Sequence, residues 1–250
     1  MGLKESGLRG SLRNVSVGID AIPDNQDYWW PIDEGEGETI TDAKNDVVAD
    51  FVGSPTWESA DVFGGQQIIL DGETDGWETG SINNLSGTEF NISRWIELSE
   101  IIEGDRQPLF ALGDGIQGNY DLSGDGICVY IHDDNRIYAN LQDDGSIANE
   151  AGASFDASGL DNELLFASVN ADTENDILDF YLYDKDTQIA KEEDANSDGR
   201  AFGELSEPNF ISEHETGAWE AIPDRKDIAA GIAESRLTES QIEDIWQSTA

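Results

Sequence analysis

Basic side chains are scarce in this 250-residue chain: 13 Lys and Arg stand against 54 Asp and Glu, and 5 of the 13 are lysine. No stripe of Lys and Arg is present that would displace counterions from phosphate, so a nucleic-acid partner is excluded. Long apolar runs are missing too, and no segment reads as a membrane span. Thiols and imidazoles are almost absent. The lone Cys128 has no partner for an internal disulfide, and His132 and His214 lack the Cys/His spacing of a zinc site. Cys128 falls within the alternating stretch Ile127-Cys128-Val129-Tyr130-Ile131 and reads as a small core residue. Met1 to Ile19 has neither the apolar segment of a secretory signal nor a twin-arginine pair, so ordinary secretion of this chain is not expected.

What the chain holds in excess is acid. The formal net charge is −41, and in dilute buffer that much like charge works against a compact state. At about 1 M salt the Debye length shrinks to roughly 3 Å and the repulsion is nearly silenced. Disorder is the competing reading of so acidic a chain, yet 7 Trp, 6 Tyr and 9 Phe are spread along it, and disordered acidic segments lack such residues. A salt-adapted surface around an ordinary core fits both observations.

Residues 1–27 differ from the rest. Lys4, Arg9 and Arg13 face only Glu5 in the first 19 positions, and Gly2, Gly7, Gly10 and Gly18 break any helical pattern. Two readings stand: a frayed terminus, or an extended attachment arm lying on an acidic partner or a sister subunit. From Tyr28 to the end, residues 28–250, the apolar period is mostly two, with Gly, Asp and Asn turns between short segments. Strands are predicted at Tyr28–Ile32, Val47–Val52, Gln66–Leu70, Thr88–Leu98, Pro108–Gly113, Gly126–His132, Arg136–Gln142, Leu164–Asn170, Ile177–Asp184 and Ile228–Ala233. In the clearest alternation Phe180 and Leu182 face one side and Tyr181 and Tyr183 the other. One helix closes the chain: Thr238 is the N-cap, Gln241 holds the capping-box position, and Ile242, Ile245 and Trp246 form the apolar face. The predicted class is all-β, a two-sheet antiparallel sandwich or jelly roll with a short C-terminal helix.

Trp30-Pro31-Ile32-Asp33-Glu34-Gly35, Phe51-Val52-Gly53-Ser54-Pro55 with Trp57, Ile69-Leu70-Asp71-Gly72 with Asp75, Phe90–Ile96, Leu178–Asp184 and Ile228–Ile232 with Leu237-Thr238 follow one another in order. Together they resemble the landmarks of laminin-G-like, concanavalin-A-like lectin domains. Leu70 stands where that family usually has Phe, and 199–219 matches nothing clearly. The resemblance implies a jelly roll across residues 28–250, in agreement with the periodicity. The opening MGLKESGLRGSLRNVSVGIDAIPD resembles the amino termini of tail-fibre or spike-type structural proteins of tailed viruses of halophilic archaea.

Three Asp-rich loops look like the first half of a calcium loop: Asp71-x-Glu73-x-Asp75-Gly76, Asp121-x-Ser123-x-Asp125-Gly126 and Asp194-x-Asn196-x-Asp198-Gly199. Position 12 is Ile82, His132 and Leu205, so none supplies the bidentate Glu of an EF-hand. Asp-Gly is equally an ordinary hairpin turn. The first loop, with Asp71, Glu73 and Asp75, is the metal expectation; no cofactor is required beyond such a structural calcium ion. Exposed aromatic rings grip sugars by their flat apolar faces. Trp57, Trp77 and Trp219 sit in polar, turn-like surroundings and are the ligand-binding expectation, against a general preference of Trp for packing. Trp30, Trp95 and Trp246 read as core, and Trp29 should point opposite to Trp30.

Glucanases with the concanavalin-A-like fold carry a strand motif resembling E-x-D-x-x-E. Glu174-Asn175-Asp176-Ile177-Leu178-Asp179 is similar, with Asp for the final Glu; retaining hydrolysis needs its carboxylates about 5–5.5 Å apart. No enzymatic activity is expected, and a glycoside hydrolase is the alternative. The resemblances imply a viral structural adhesin on the virion surface: residues 1–27 join it to virion proteins, and the lectin-like domain meets host glycans or surface-layer glycoprotein. A decoration protein without a receptor role and a cellular glycan-binding module are the other readings. Fibre-type proteins usually act as symmetric oligomers, so a homo-oligomer is expected.

Overall fold

A computed structural model of the protein describes residues 22–60, 65–70, 75–102, 106–114, 125–143, 146–147, 152–212, 222 and 224–249. Among the described residues are nineteen strands, numbered β1 to β19 in chain order, and one helix. One sheet holds, from edge to edge, β16 (Gln188–Ala195), β15 (Ile177–Tyr183), β14 (Glu163–Asp172), β8 (Glu89–Leu98), β19 (Arg225–Ala233), β5 (Gln66–Leu70) and β4 (Thr56–Ser59). The short β1 (Tyr28–Trp30) also pairs with β19, opposite Ala230–Ile232, while β5 pairs with its first residues.

The second sheet runs β12 (Ser146–Ile147), β11 (Arg136–Asp143), β10 (Gly126–Ile131), β9 (Gln107–Gly113), β18 (Asn209–Ser212), β6 (Gly76–Ser81), β3 (Val48–Val52) and β2 (Thr39–Thr41). β13 (Ala153–Asp156) adds to β11, and β7 (Ser86–Gly87) pairs with β17 (Leu205–Ser206). Every pairing is antiparallel, and the two large sheets stack as a jelly-roll sandwich. Among the described residues, no helix is long and apolar enough to cross a membrane.

Period-two alternation assigns the faces. On β8, Phe90, Ile92, Ile96 and Leu98 enter the core between the sheets, as do Leu165, Ala167, Val169 and Ala171 of β14 and Leu178, Phe180 and Leu182 of β15. The second sheet answers with Trp77, Leu109, Phe110, Leu112, Ile127, Val129 and Phe210. The alternate residues Trp95, Phe166, Tyr181 and Tyr183 form a separate cluster on the outer face of the first sheet. Trp29 belongs to that outer cluster and Trp30 to the inter-sheet core, as their adjacency on one strand predicts.

Helix α1 (Glu239–Thr249) covers the outer cluster with Ile242 and Ile245. Its start is a capping box: the Gln241 amide donates to Thr238 Oγ1 at 3.4 Å, and the Thr238 amide donates to Gln241 Oε1 at 2.9 Å. Trp246 stacks on Tyr183 at 4.8 Å and donates its indole N–H to the Asp184 carbonyl. Trp95 donates to Thr249 Oγ1 at 2.7 Å. Beside this apolar patch the same sheet face is polar. Asn91 donates to Ser168 and Asn170, and Gln26 donates to Asn91, so the stretch before β1 is held down by side-chain amides. Asn170 in turn exchanges hydrogen bonds with the backbone of Leu237 just before the helix.

One strand runs past its expected limit on account of buried charge. β19 begins at Arg225 rather than Ile228 because Arg225 and Asp227 lie fully buried in the inter-sheet core.

Candidate functional site

At one rim of the sandwich the two sheets part into an open groove of about 620 Å³. The first sheet contributes Asp27 and Tyr28 at the start of β1 and Glu234 just after β19; the second contributes Val47 and Val48, Thr79 and Ser81, with the turn residues Asn45, Asp46, Asn83 and Asn84. Among the described residues lining it, three are carboxylates and none is basic.

Two tight turns shape this groove. In the first, buried Asp42 accepts the amides of Trp29 and Asn45, and its own amide donates to Val47 at 2.8 Å. Burial pushes the Asp42 carboxyl above its ordinary range, against the backbone amides that hold it down. The Trp30 indole donates to the Val47 carbonyl at 3.1 Å and pins the far side of that turn. Asp46 takes a left-handed conformation (φ 56°), as turn aspartates tolerate. In the second turn, Ile82 and Leu85 are buried anchors and the two asparagines between them are thrust outward. Asn84 is left-handed (φ 77°), and the Ile82 amide donates to the Pro208 carbonyl at 3.0 Å.

Asp27 joins the walls. Its Oδ2 accepts the Glu234 amide at 2.8 Å, and its carbonyl accepts Asn45 Nδ2 at 2.8 Å. Burial and then the Asp27 charge push the Glu234 carboxyl up. The Tyr28 phenol is raised by burial first and then by Glu234, Asp42 and Asp27. Lys44, beside Asn45, is spent elsewhere: its Nζ donates to the carbonyls of Pro23 and Gln26. The groove therefore offers amide and hydroxyl groups, a small apolar step with Val48 46% exposed, and negative charge.

The predicted site residues fall in different places. Trp77 corrects the expectation of an exposed ring: it is fully buried between the sheets, where its indole N–H donates to Asp227 Oδ2 at 2.8 Å and Arg94 lies over its face at 5.1 Å. Its polar neighbour Glu78 occupies the alternate face of β6, and Thr79 and Ser81 lie further along the strand toward the groove. Trp57 is half-buried on the edge strand β4, its ring 5.6 Å from Phe51 and its N–H given to the Gly37 carbonyl, outside the groove. Trp219, Asp71, Glu73, Lys4, Arg9 and Arg13 lie outside the described residues. Asp75 accepts the Ser54 amide at 2.7 Å.

Of the other Asp-rich loops, the one from Asp194 to Gly199 closes on a side chain. Buried Asp176 accepts the amides of Ser197 and Gly199, both at 2.7 Å. Among the described residues no group of three or more His, Cys, Asp or Glu is placed to hold a metal ion. The stretch with the glucanase-like spacing is split: Glu174 and Asp176 sit in the turn between β14 and β15, and Asp179 sits within β15. Asp179 accepts Arg236 at 2.6 Å and the Asp194 amide at 3.0 Å.

The sandwich is found in solved structures. The receptor-binding domain of botulinum neurotoxin D superposes with a TM-score of 0.63 at 13% identity, over 91% of this chain and 53% of that one. A botulinum neurotoxin serotype D ligand-binding domain in complex with N-acetylneuraminic acid gives 0.59 at 14%, over 92% and 52%. A Trypanosoma rangeli sialidase in complex with sialic acid gives 0.58 at 10%, over 88% and 32%. The fold is shared. At these identities the likeness is one of architecture, and this chain spans about half the length of the neurotoxin domains and about a third of the sialidase. No protein-family model matches the sequence, and no curated protein matches it.

The groove residues bear little mark of a site in the sequence. Ile82-Asn83-Asn84-Leu85, two outward amides between apolar anchors, carried a local signal; the meeting of that turn with Asp46 and Glu234 across two sheets carried none.

Proposed function

We propose that this chain is a glycan-binding adhesin module, built for molar salt and carried on a virion, that recognises host surface carbohydrate without cleaving it. The observation that carries the reading is the rim groove, where the exposed side chains of Ser81, Asn83 and Asn84 stand beside exposed Val48 in an open cleft. Such a mix suits polyhydroxylated ligands, which present hydroxyl edges and patches of C–H surface. The fold adds support, since a neurotoxin receptor-binding domain and sialic-acid-bound proteins also use it. The separation of the glucanase-like carboxylates, with Glu174 and Asp176 in a turn and Asp179 in β15 paired with Arg236, favours binding over hydrolysis. Attachment through residues 1–27 and homo-oligomerisation complete the adhesin reading, several weak sites gaining avidity together.

The test is binding of the purified protein, at molar salt, to intact and to enzymatically deglycosylated haloarchaeal cells. Binding that disappears on deglycosylation, and in an Asn83→Ala/Asn84→Ala variant, supports the reading. Equal binding to both cell preparations overturns it.

A further inference from the structure

We infer that the rim groove takes uncharged glycans and discriminates against sialylated and other acidic sugars. The inference rests on the groove being a glycan site, and it departs from the sialic acid found with the structural neighbours.

Three features carry it. The first is the sign of every charge on the walls: Asp27, Asp46 and Glu234 line the cleft, and no described lining residue is basic. A sugar carboxylate held there would meet like charges and find no guanidinium or ammonium to pair with. Losing the charge-assisted partner matters more than the loss of long-range attraction, since molar salt screens distant charges but does not replace a missing hydrogen-bond donor. The second is the commitment of Lys44, the cation of the adjoining turn, whose ammonium is engaged by two backbone carbonyls. The electrostatics agree: after burial, each charged neighbour that shifts the Tyr28 phenol is an acid. The third is the chemistry that remains. The side chains of Asn83 and Asn84 make no hydrogen bond among the described residues, and both are exposed in the cleft. A primary amide offers two donors and an acceptor, the set that complements neutral hydroxyls. Carboxylates also accept from sugar hydroxyls, so Asp46 and Glu234 favour the same neutral ligand that they set against an acidic one.

The experiment is an array of neutral oligosaccharides, each printed beside its sialylated or uronic-acid counterpart and probed with the full chain in molar KCl. Side-chain amide resonances of the ¹⁵N-labelled protein then locate the site. Neutral members should bind about tenfold more tightly than acidic counterparts, the effect of leaving one carboxylate without a cationic partner. They should move the Asn83 and Asn84 amide signals, and the gap should narrow in an Asp46→Asn/Glu234→Gln variant that retains the wild-type circular-dichroism spectrum. Tighter binding of acidic members, with those same amides moving, overturns the charge selection and leaves the glycan reading standing. Neutral binding that leaves Asn83 and Asn84 unmoved places the site elsewhere and overturns the inference. No binding by any member overturns the glycan reading and the inference with it.

Discussion

Arg94 and Asp227 form an ion pair at the centre of the sandwich, with neither side chain exposed to solvent. Arg225 joins the same carboxylate at 3.2 Å, and Ser212 and Trp77 donate to it from the opposite sheet. Arg225 also reaches the carbonyls of Pro108 and Leu109 on β9. One carboxylate thus ties together both sheets. Replacing Asp227 with Ala should lower stability by about 3–5 kcal/mol, because it strands two guanidinium groups in the core. A chemical denaturation series at fixed salt checks this; a loss below about 1 kcal/mol would show that the pair is dispensable.

The same residue sets an acid limit. Burial pushes the Asp227 carboxyl up, but Arg225 and Arg94, with Ser212 and Trp77, outweigh it and hold the group below the ordinary aspartate range. A folded-state value below the unfolded one means stability that is present above an unfolded pKa of about 3.9. It is lost as pH falls through the lower folded value. Acid unfolding of the wild type should show this contribution below pH 4 or so, and an Asp227→Asn protein should lack it. Parallel pH titrations of the two by tryptophan fluorescence decide the point.

Cys128 lies in a small cluster with Ala111, Tyr130, Tyr138 and Ile211 on the outer face of the second sheet, and burial pushes its thiol up to about 12. The thiolate is the reactive form. A thiol reagent at neutral pH should therefore leave the folded protein unlabelled and react once denaturant is added. Rapid labelling of the native state would mean that this face opens readily.

A β-carbon added at Gly231 would stand 2.5 Å from Trp29 Cε3 and 2.8 Å from Gln26 Oε1. Trp29 is packed under the helix and Gln26 is bonded to Asn91, so neither yields freely. Gly231→Ala should cost about 1–3 kcal/mol through overpacking. A thermal melt beside the wild type measures it, and an unchanged midpoint would show that the strand before the helix can shift.

Salt should matter to the whole fold. With a net charge of −41, self-repulsion in dilute buffer loosens the compact state and molar salt removes most of it. The melting temperature should rise steeply between dilute and molar KCl. A midpoint independent of KCl would remove the basis for a salt-adapted reading.

Every strand predicted from alternation is present, because each carries several apolar residues at period two and its face is decided by burial alone. The strands that escaped prediction are those whose stability comes from neighbours. β16, QIAKEEDA, is an edge strand charged along its exposed face, which blunts the edge and hides the pattern together. β18 is central but offers only Phe210 and Ile211 as a core signal. Trp77 was misplaced because its partner Asp227 lies 150 residues away, and no local pattern announces a buried indole–carboxylate bond. The groove was invisible for a related reason: its parts are ordinary turn residues, and only the stacking of two sheets brings them to one rim.

Trp29 and Trp30 are consecutive, yet one ring is sealed beneath the helix and the other between the sheets. A pull on the segment ahead of β1 would therefore have to draw one tryptophan from each of two separate cores in the same event, while shearing the rungs to Ile232, Gly231 and Ala230. Three residues of strand are thus locked by two cores at once, and neither can loosen around β1 without the other.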